Sequence, residues 1–154
     1  MKNLLLTIIG VLLITVIGAQ ELKEVDGIYY ASSEPYTGDY TTYFENGNKK
    51  MEAAFVDGKK EGEWKIYFEY GELNEIRSYK NNEMHGTWFT FNTKGIKVAE
   101  ANYKNGKKDG EWNIWNNEGR LVYEMQYKNG EKTGTWKNYD ESGIVLNERS
   151  YSEF

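Results

Sequence analysis

The chain has 154 residues, a formal net charge of −5 at pH 7, one histidine and no cysteine. A mildly acidic chain of one domain's length is a poor ligand for nucleic-acid phosphates or anionic membrane surfaces. Without cysteine it forms no disulfide and carries no lipoprotein anchor, and with one histidine the usual zinc sites and the Cys/His and Ser/His nucleophiles are excluded.

The first 19 residues have the layout of a secretory signal peptide. Lys2 provides a short basic start, a largely apolar run of 16 residues follows from Leu4 to Ala19, and the sequence then turns strongly polar. That run is shorter than the ~20 residues a membrane-spanning helix needs. We therefore expect cleavage after Ala19 and export to the periplasm, the cell envelope or the medium. A retained N-terminal anchor is the alternative.

A cycle of 24 residues starts at Gly38 and runs through the chain five times without insertion or deletion. We assign residues 20–37 to a lead-in segment with a cap strand and residues 38–154 to one repeat domain. The five repeats are 38–61, 62–85, 86–109, 110–133 and 134–154.

Glycine occupies three columns of this cycle, with Asn82 as the one exception. The columns are Gly38, Gly62, Gly86, Gly110 and Gly134; Gly47, Gly71, Gly95, Gly119 and Gly143; and Gly58, Asn82, Gly106 and Gly130. Asparagine is the residue that best tolerates a positive φ after glycine. The columns therefore predict backbone positions with special dihedral angles, not flexible linkers.

Each repeat contains two runs of six to eight residues rich in aromatic and β-branched types, and each run ends in a turn with Gly or Asn. This pattern is typical of a β-hairpin with a connection of three to five residues. The prediction is an all-β fold in which five consecutive 24-residue hairpins form an elongated, twisted, open antiparallel sheet.

Three aromatic columns accompany the glycines. They are Tyr40, Trp64, Trp88, Trp112 and Trp136, two places after the first glycine; Tyr43, Tyr67, Phe91, Trp115 and Tyr139, five places after it; and Phe55, Tyr79, Tyr103, Tyr127 and Tyr151, late in the second strand. Offsets of two and five point to opposite faces of a strand. We expect the tryptophan face to be packed, and the face with the second column to be mostly solvated.

The second column, which we name the aromatic stripe (Tyr43, Tyr67, Phe91, Trp115 and Tyr139), is the candidate partner-binding surface. It shares its predicted face with a row of glutamates, so part of it should stay exposed, and an exposed aromatic row is a plausible contact surface. A purely structural role is the equal alternative. For the tryptophan column, core packing is favoured over sugar stacking or peptide binding.

The remaining polar residues give little reason to expect chemistry. His85 is predicted to be a solvated turn residue. Glu52, Glu100, Glu124 and Glu148 form a regular row without the apolar pocket that a catalytic acid needs. The sequence predicts no catalytic, cofactor-binding or metal-binding residue, and an enzyme using surface carboxylates is kept only as a weak alternative.

The pattern Gly-x-Trp-x-x-Tyr, then Asn/Glu-x-Gly, then a strand ending in Tyr-Lys-Asn-Gly resembles the MORN-repeat variant found in many bacterial proteins. Segments 62–79, 110–130 and 134–151 carry it most fully, and the lead-in motif Asp26-Gly-Ile-Tyr-Tyr30 is also similar; the resemblance covers residues 25–154. It implies hairpins stacked into a long open sheet, with membrane or partner recognition as the role.

On these grounds we expect an exported, non-enzymatic binding or scaffold module whose partner is another protein or a cell-envelope component. Some bacterial members of the family are labelled antitoxins of toxin–antitoxin systems, which is the alternative function. An antitoxin of this kind acts in the cytoplasm, whereas the N-terminal segment predicts export.

Overall fold

The computed structural model describes residues 21–152, and the predicted signal peptide lies outside them. The described residues form strands joined by short turns. The strands are β1 Lys23–Val25, β2 Ile28–Ala31, β3 Glu34–Pro35, β4 Gly38–Tyr43, β5 Lys49–Val56, β6 Lys59–Tyr67, β7 Leu73–Lys80, β8 Glu83–Met84, β9 Gly86–Phe91, β10 Lys97–Lys104, β11 Lys107–Trp115, β12 Leu121–Lys128, β13 Glu131–Tyr139 and β14 Val145–Tyr151.

Most strands belong to one open antiparallel sheet of eleven strands. Its spatial order follows the chain from β4 to β14, with the short β8 paired to the end of β7. Apart from β8, which the β7–β9 pairing passes over, each strand therefore pairs with its neighbours in sequence, and each inner hairpin contacts the hairpins before and after it. The predicted all-β architecture of consecutive hairpins in an open sheet is confirmed.

The first glycine column lies at or near the start of the first strand of each hairpin. Gly38 and Gly86 begin β4 and β9, whereas Gly62 lies inside β6, three residues after Lys59, with φ 68°. The pairing of β5 with β6 shifts register between Glu52 and Ala54, opposite this glycine. A bulge inserts an extra residue and bends the strand, and its glycine adopts the left-handed conformation. The glycine therefore bends a strand that would otherwise run straight.

One long edge of the sheet consists of five-residue loops that all have the same backbone hydrogen bonds. In the loop of the fourth repeat, the Asn116 N–H donates to the Arg120 carbonyl at 2.9 Å, and the Gly119 N–H donates to the Asn116 carbonyl at 3.0 Å. The Asn116 side-chain oxygen also accepts from the N–H groups of Glu118 and Arg120. Gly119 has φ 81°, as the glycine column predicted.

The opposite edge consists of two-residue turns that are hydrogen bonded to one another along the sheet. The second residue of each turn donates its N–H to a carbonyl 22 residues earlier. These bonds are Gly58 to Tyr36, Asn82 to Lys60, Gly106 to Met84 and Gly130 to Lys108, at 2.8–3.0 Å. Asn82 has φ 72°, so the exception in the glycine column does take the left-handed conformation.

The lead-in segment forms a three-stranded sheet, β1–β2–β3, that docks on the turns of the first two repeats. The Tyr29 N–H donates to the Gly58 carbonyl at 2.8 Å, and Asn82 Nδ2 donates to the Gly27 carbonyl at 2.8 Å. Beneath it lies the core cluster of buried residues Ala53, Phe55 and Trp64, against which Leu22 and Tyr36 pack, among others.

One face of the sheet carries an unbroken series of aromatic rings, which we name the aromatic ladder. Successive centroids lie 4.7–5.6 Å apart and the rings are tilted by 47–64°, an arrangement that aromatic pairs favour. It begins with Tyr29 of the docked lead-in segment, and its members on the sheet are Phe55, Trp64, Tyr79, Trp88, Tyr103, Trp112, Tyr127, Trp136 and Tyr151. Each tryptophan of the ladder also donates its indole N–H to the carbonyl ten residues earlier, at 2.9–3.1 Å.

Burial along this ladder is uneven. Trp64 is only 6% exposed under the lead-in segment, and Tyr127 is 9% exposed, whereas Trp88, Trp112 and Trp136 are half-buried. The expectation that the tryptophan column forms a packed core therefore holds fully only at the N-terminal end. In the later repeats, rings pack against neighbouring rings within a single layer.

Candidate functional site

The aromatic stripe lies on the face opposite the ladder. Thr41, Glu52, Lys65 and Ile76 stand directly opposite one another on successive strands, and the same row continues through later repeats to Glu148. The stripe residues are two positions further along the first strand of each hairpin, so they share this face. The register therefore places the two aromatic columns on opposite faces of the sheet, as the sequence predicted.

All five stripe residues have exposed surface. Tyr43 is 55% exposed, and Tyr67, Phe91, Trp115 and Tyr139 are half-buried. Neighbouring stripe residues lie two strands apart, a spacing of about 10 Å at 4.7–4.9 Å per strand. The stripe is thus a row of evenly spaced, partly exposed rings across five repeats.

Two stripe tyrosines are held in place by the glutamate row. Tyr67 donates its hydroxyl to Glu52, and Tyr139 donates its hydroxyl to Glu124 at 3.2 Å, a spacing of 15 residues in both cases. Burial, helped by the bond to Glu52, raises the pKa of Tyr67 to about 12. Because each ring is fixed at its tip, its flat faces have a defined orientation toward solvent.

Trp115 is held by a cation and not by a hydroxyl bond. Lys97 Nζ lies 4.4 Å from the centroid of the Trp115 ring and 2.6 Å from Glu100 Oε2. A cation over an indole face is attracted by the ring quadrupole, with an energy of about 0.5–1 kcal/mol at an exposed site. The 15-residue relation between a stripe ring and a glutamate therefore recurs here, with Lys97 placed between them.

The glutamate row has the electrostatics of a structural surface. Glu52 and Glu100 pair with Lys49 and Lys97, and Glu124 lies 3.6 Å from Lys137. Hydrogen bonds from Lys49 and Tyr67 hold the pKa of Glu52 below its ordinary value. A catalytic acid needs the opposite shift, so Glu52 is unsuited to that role.

His85 has a place that the sequence did not reveal. Its Nδ1 lies 3.4 Å from the backbone N–H of Asn105, the first residue of the next turn. Thr37, Glu61 and Asp109 occupy the same position in other repeats, and each accepts from the N–H 20 residues later at 2.8–3.1 Å. The column therefore joins neighbouring turns, and it could have been inferred only from the shared acceptor character of these different side chains.

Within residues 21–152, no three His, Cys, Asp or Glu side chains converge into a group able to hold a metal ion. The same part of the chain contains no helix long and apolar enough to span a membrane.

Comparison with known proteins identifies the family. The model of the MORN repeat variant matches residues 36–57, 60–81, 84–105, 108–129 and 132–153. No curated protein matches the chain. A solved structure with some similarity is the Glycosylation Associate Protein (Gap123) complex from Streptococcus agalactiae, with 16% identity and a TM-score of 0.39, covering 66% of this chain and 18% of that one. The five family matches recur every 24 residues and cover well over half of the sequence, so the chain belongs to the MORN repeat variant family.

Proposed function

We propose that this protein is an exported, non-enzymatic binding module and that its aromatic stripe is the surface that contacts a protein or cell-envelope partner. MORN repeats generally mediate binding to proteins or membranes, which supports the class of function. The stripe itself is the observation that carries the proposal, since five partly exposed rings at regular spacing stand on a face with no second layer above it within residues 21–152.

The chemistry of this face favours a protein over a lipid. The row beside the stripe carries both signs of charge, with glutamates at positions 52, 100, 124 and 148 and lysines at 65 and 137. A surface of mixed charge does not attract an anionic bilayer, whereas aromatic anchors surrounded by polar groups are the usual make-up of protein interfaces.

The two faces offer a matched test by site-specific photo-crosslinking. A photoreactive phenylalanine derivative would replace Tyr43 on the stripe in one variant and Tyr123 on the ladder face in another. These side chains are 55% and 43% exposed, so both probes reach solvent. We expect one defined crosslinked partner other than a second copy of this chain, identified by mass spectrometry from envelope extract, with the Tyr43 probe alone. Equal crosslinking from both positions would refute the stripe as the contact surface.

Export is tested separately by the N-terminal sequence of the native protein. The proposal requires a mature N-terminus at or near Gln20 and a location outside the cytoplasm. Recovery of soluble cytoplasmic protein that still begins at Met1 would contradict it.

A further inference from the structure

The last strand of the sheet exposes apolar side chains that are covered at the equivalent places of other repeats. Ile144, Val145 and Leu146 are 64%, 43% and 64% exposed, and residues 145–150 of β14 are all exposed. Their counterparts one or two repeats earlier, Ile96, Leu121 and Val122, are half-buried. In the described part of the chain, β14 has a hydrogen-bonded neighbour on one side only, namely β13.

The inner repeats show what covers these positions. At each inner junction, the second strand of one hairpin pairs with the first strand of the next in a constant register. The pairs are Met51 with Ile66 and Glu52 with Lys65; Glu75 with Thr90 and Ile76 with Phe89; Ala99 with Ile114 and Glu100 with Asn113; and Tyr123 with Asn138 and Glu124 with Lys137. The surface left open on β14 therefore fits the free edge of a first strand.

The loops repeat this relation. A Cβ added to Gly119 would lie 3.2 Å from Ile96 Cγ2, so Ile96 packs against the glycine of the following loop. Ile144 holds the place of Ile96 in the last repeat. Gly47, in the first loop, holds the place of Gly119, and an added Cβ there would meet nothing within 4 Å, as is also the case at Gly95 and Gly143, so this place has room for Ile144 of another copy.

A first strand with a free edge is present in this chain itself. β4 pairs with β5 and has no other neighbour in the described sheet. β2 pairs with β3 at Tyr30–Pro35 and Ala31–Glu34, and the Tyr36 hydroxyl donates to the Asp39 carbonyl at 2.6 Å, which leaves residues 40–43 without a strand beside them in the described residues. Thr41 and Thr42 have the β-branched side chains that favour strand pairing.

We propose that β14 of one copy pairs antiparallel with β4 of a second copy, so that the sheets of successive copies join head to tail. The inner register places Asn147 opposite Thr42 of the second copy and Glu148 opposite Thr41, with Ile144 over the open Gly47. Such a contact is heterologous, so each copy keeps one further edge free and the assembly grows with concentration. It uses the ends of the sheet, and Tyr43 on β4 is the one residue of the aromatic stripe on a pairing strand.

A disulfide trap tests the register directly, because the chain has no cysteine of its own. Residues directly opposite on antiparallel strands have Cα atoms about 4.5–5.5 Å apart, within reach of a disulfide. A mixture of the Thr41→Cys and Glu148→Cys proteins should form a mixed dimer on mild oxidation. The internal pair Glu124→Cys and Lys137→Cys, which stands at the same register, is the positive control and should close within one chain.

Two results of this trap would overturn the proposal. If Glu148→Cys proteins link only to each other, the edges pair tail to tail. If no disulfide forms between copies while the control closes, the edge remains unpaired.

Sedimentation of the unmodified protein adds an independent measurement. The mean mass should rise with concentration, and Leu146→Lys should weaken this association by about tenfold or more, because a charge on an edge strand opposes pairing. Asn117→Lys, with the same charge change on an exposed loop of the fourth repeat, should leave it unchanged. A wild-type mass that stays monomeric up to about 1 mM, or equal effects of both variants, would refute the head-to-tail contact.

Discussion

Substituting alanine for Gly58 and, separately, for Gly106 would measure how firmly the lead-in segment docks. Both residues are second in their turn and have nearly the same φ, 72° and 75°. Each substitution therefore carries a similar cost of about 1–2 kcal/mol for a left-handed alanine. The surroundings differ, because a Cβ at Gly58 would lie 2.4 Å from Ile28 Cγ2 and 2.8 Å from the Tyr29 carbonyl oxygen, whereas one at Gly106 would meet nothing within 4 Å.

The added contact at Gly58 cannot be relieved by a simple rotation. The Tyr29 N–H donates to the Gly58 carbonyl, and the Gly58 N–H donates to the Tyr36 carbonyl, both at 2.8 Å, so the two backbones are fixed at this distance. Overpacking typically costs about 1–3 kcal/mol. We therefore expect Gly58→Ala to lower the free energy of unfolding by about 1–3 kcal/mol more than Gly106→Ala does.

Urea titration followed by tryptophan fluorescence gives the two free energies, and the slope against urea reports the surface exposed. If Gly58→Ala releases the lead-in segment before the sheet unfolds, limited proteolysis will cut within residues 21–35 in this variant and not in Gly106→Ala. Equal losses with no new cleavage site would refute the close docking of the lead-in segment on the first turn.

Three further outcomes are expected. Trp64→Ala should lower the free energy of unfolding by about 3–5 kcal/mol, as for a buried aromatic residue. Trp112→Ala should lower it by clearly less, because Trp112 is only half-buried. Equal losses in thermal unfolding would contradict the uneven burial of the ladder. Asn82→Gly should destabilise by about 1–2 kcal/mol in a denaturant titration, since it keeps the turn but loses the bonds to Gly27 and Lys60; no loss would show that these bonds are dispensable. The pKa of the Tyr67 phenol is raised to about 12, chiefly by burial and then by the bond to Glu52. The stability that this phenol contributes is therefore complete below the unfolded pKa of about 10 and is lost as pH rises through about 12. An alkaline absorbance titration of Tyr67→Phe should lack one late-titrating tyrosine of the wild type; loss of a tyrosine that titrates at about pH 10 would contradict this.

Much of this fold could be predicted from the sequence because its signals are periodic. Apart from Ser32, glycine, asparagine or aspartate occupies every positive-φ position of the described residues, and alternation along a strand separates Trp112 from Trp115 without knowledge of any tertiary contact. The bulge at Gly62 was not predicted, because a glycine bulge and a glycine turn look alike in sequence.

The candidate site was only partly predictable, since its details depend on contacts across strands. The sequence placed Tyr67 beside a glutamate row, but the pairing of that hydroxyl with Glu52 requires the register. The role of His85 was missed because its column contains Thr, Glu, His and Asp, which share an acceptor atom and little else. The partial exposure of Trp112 was missed because periodicity gives the face of a side chain and not the presence of a layer above it.

The ladder and the stripe are on opposite sides of a single layer. Ring-to-ring packing on one side stabilises the sheet, so substitutions on the other side leave most of that packing untouched. A protein with a closed core rarely has this freedom, because the residues beneath its binding surface also fill its interior. Here the specificity of one side can change over evolutionary time, or by engineering, while the 24-residue framework stays the same. A library randomised at Tyr43, Phe91 and Trp115 should therefore yield many folded members with different partners.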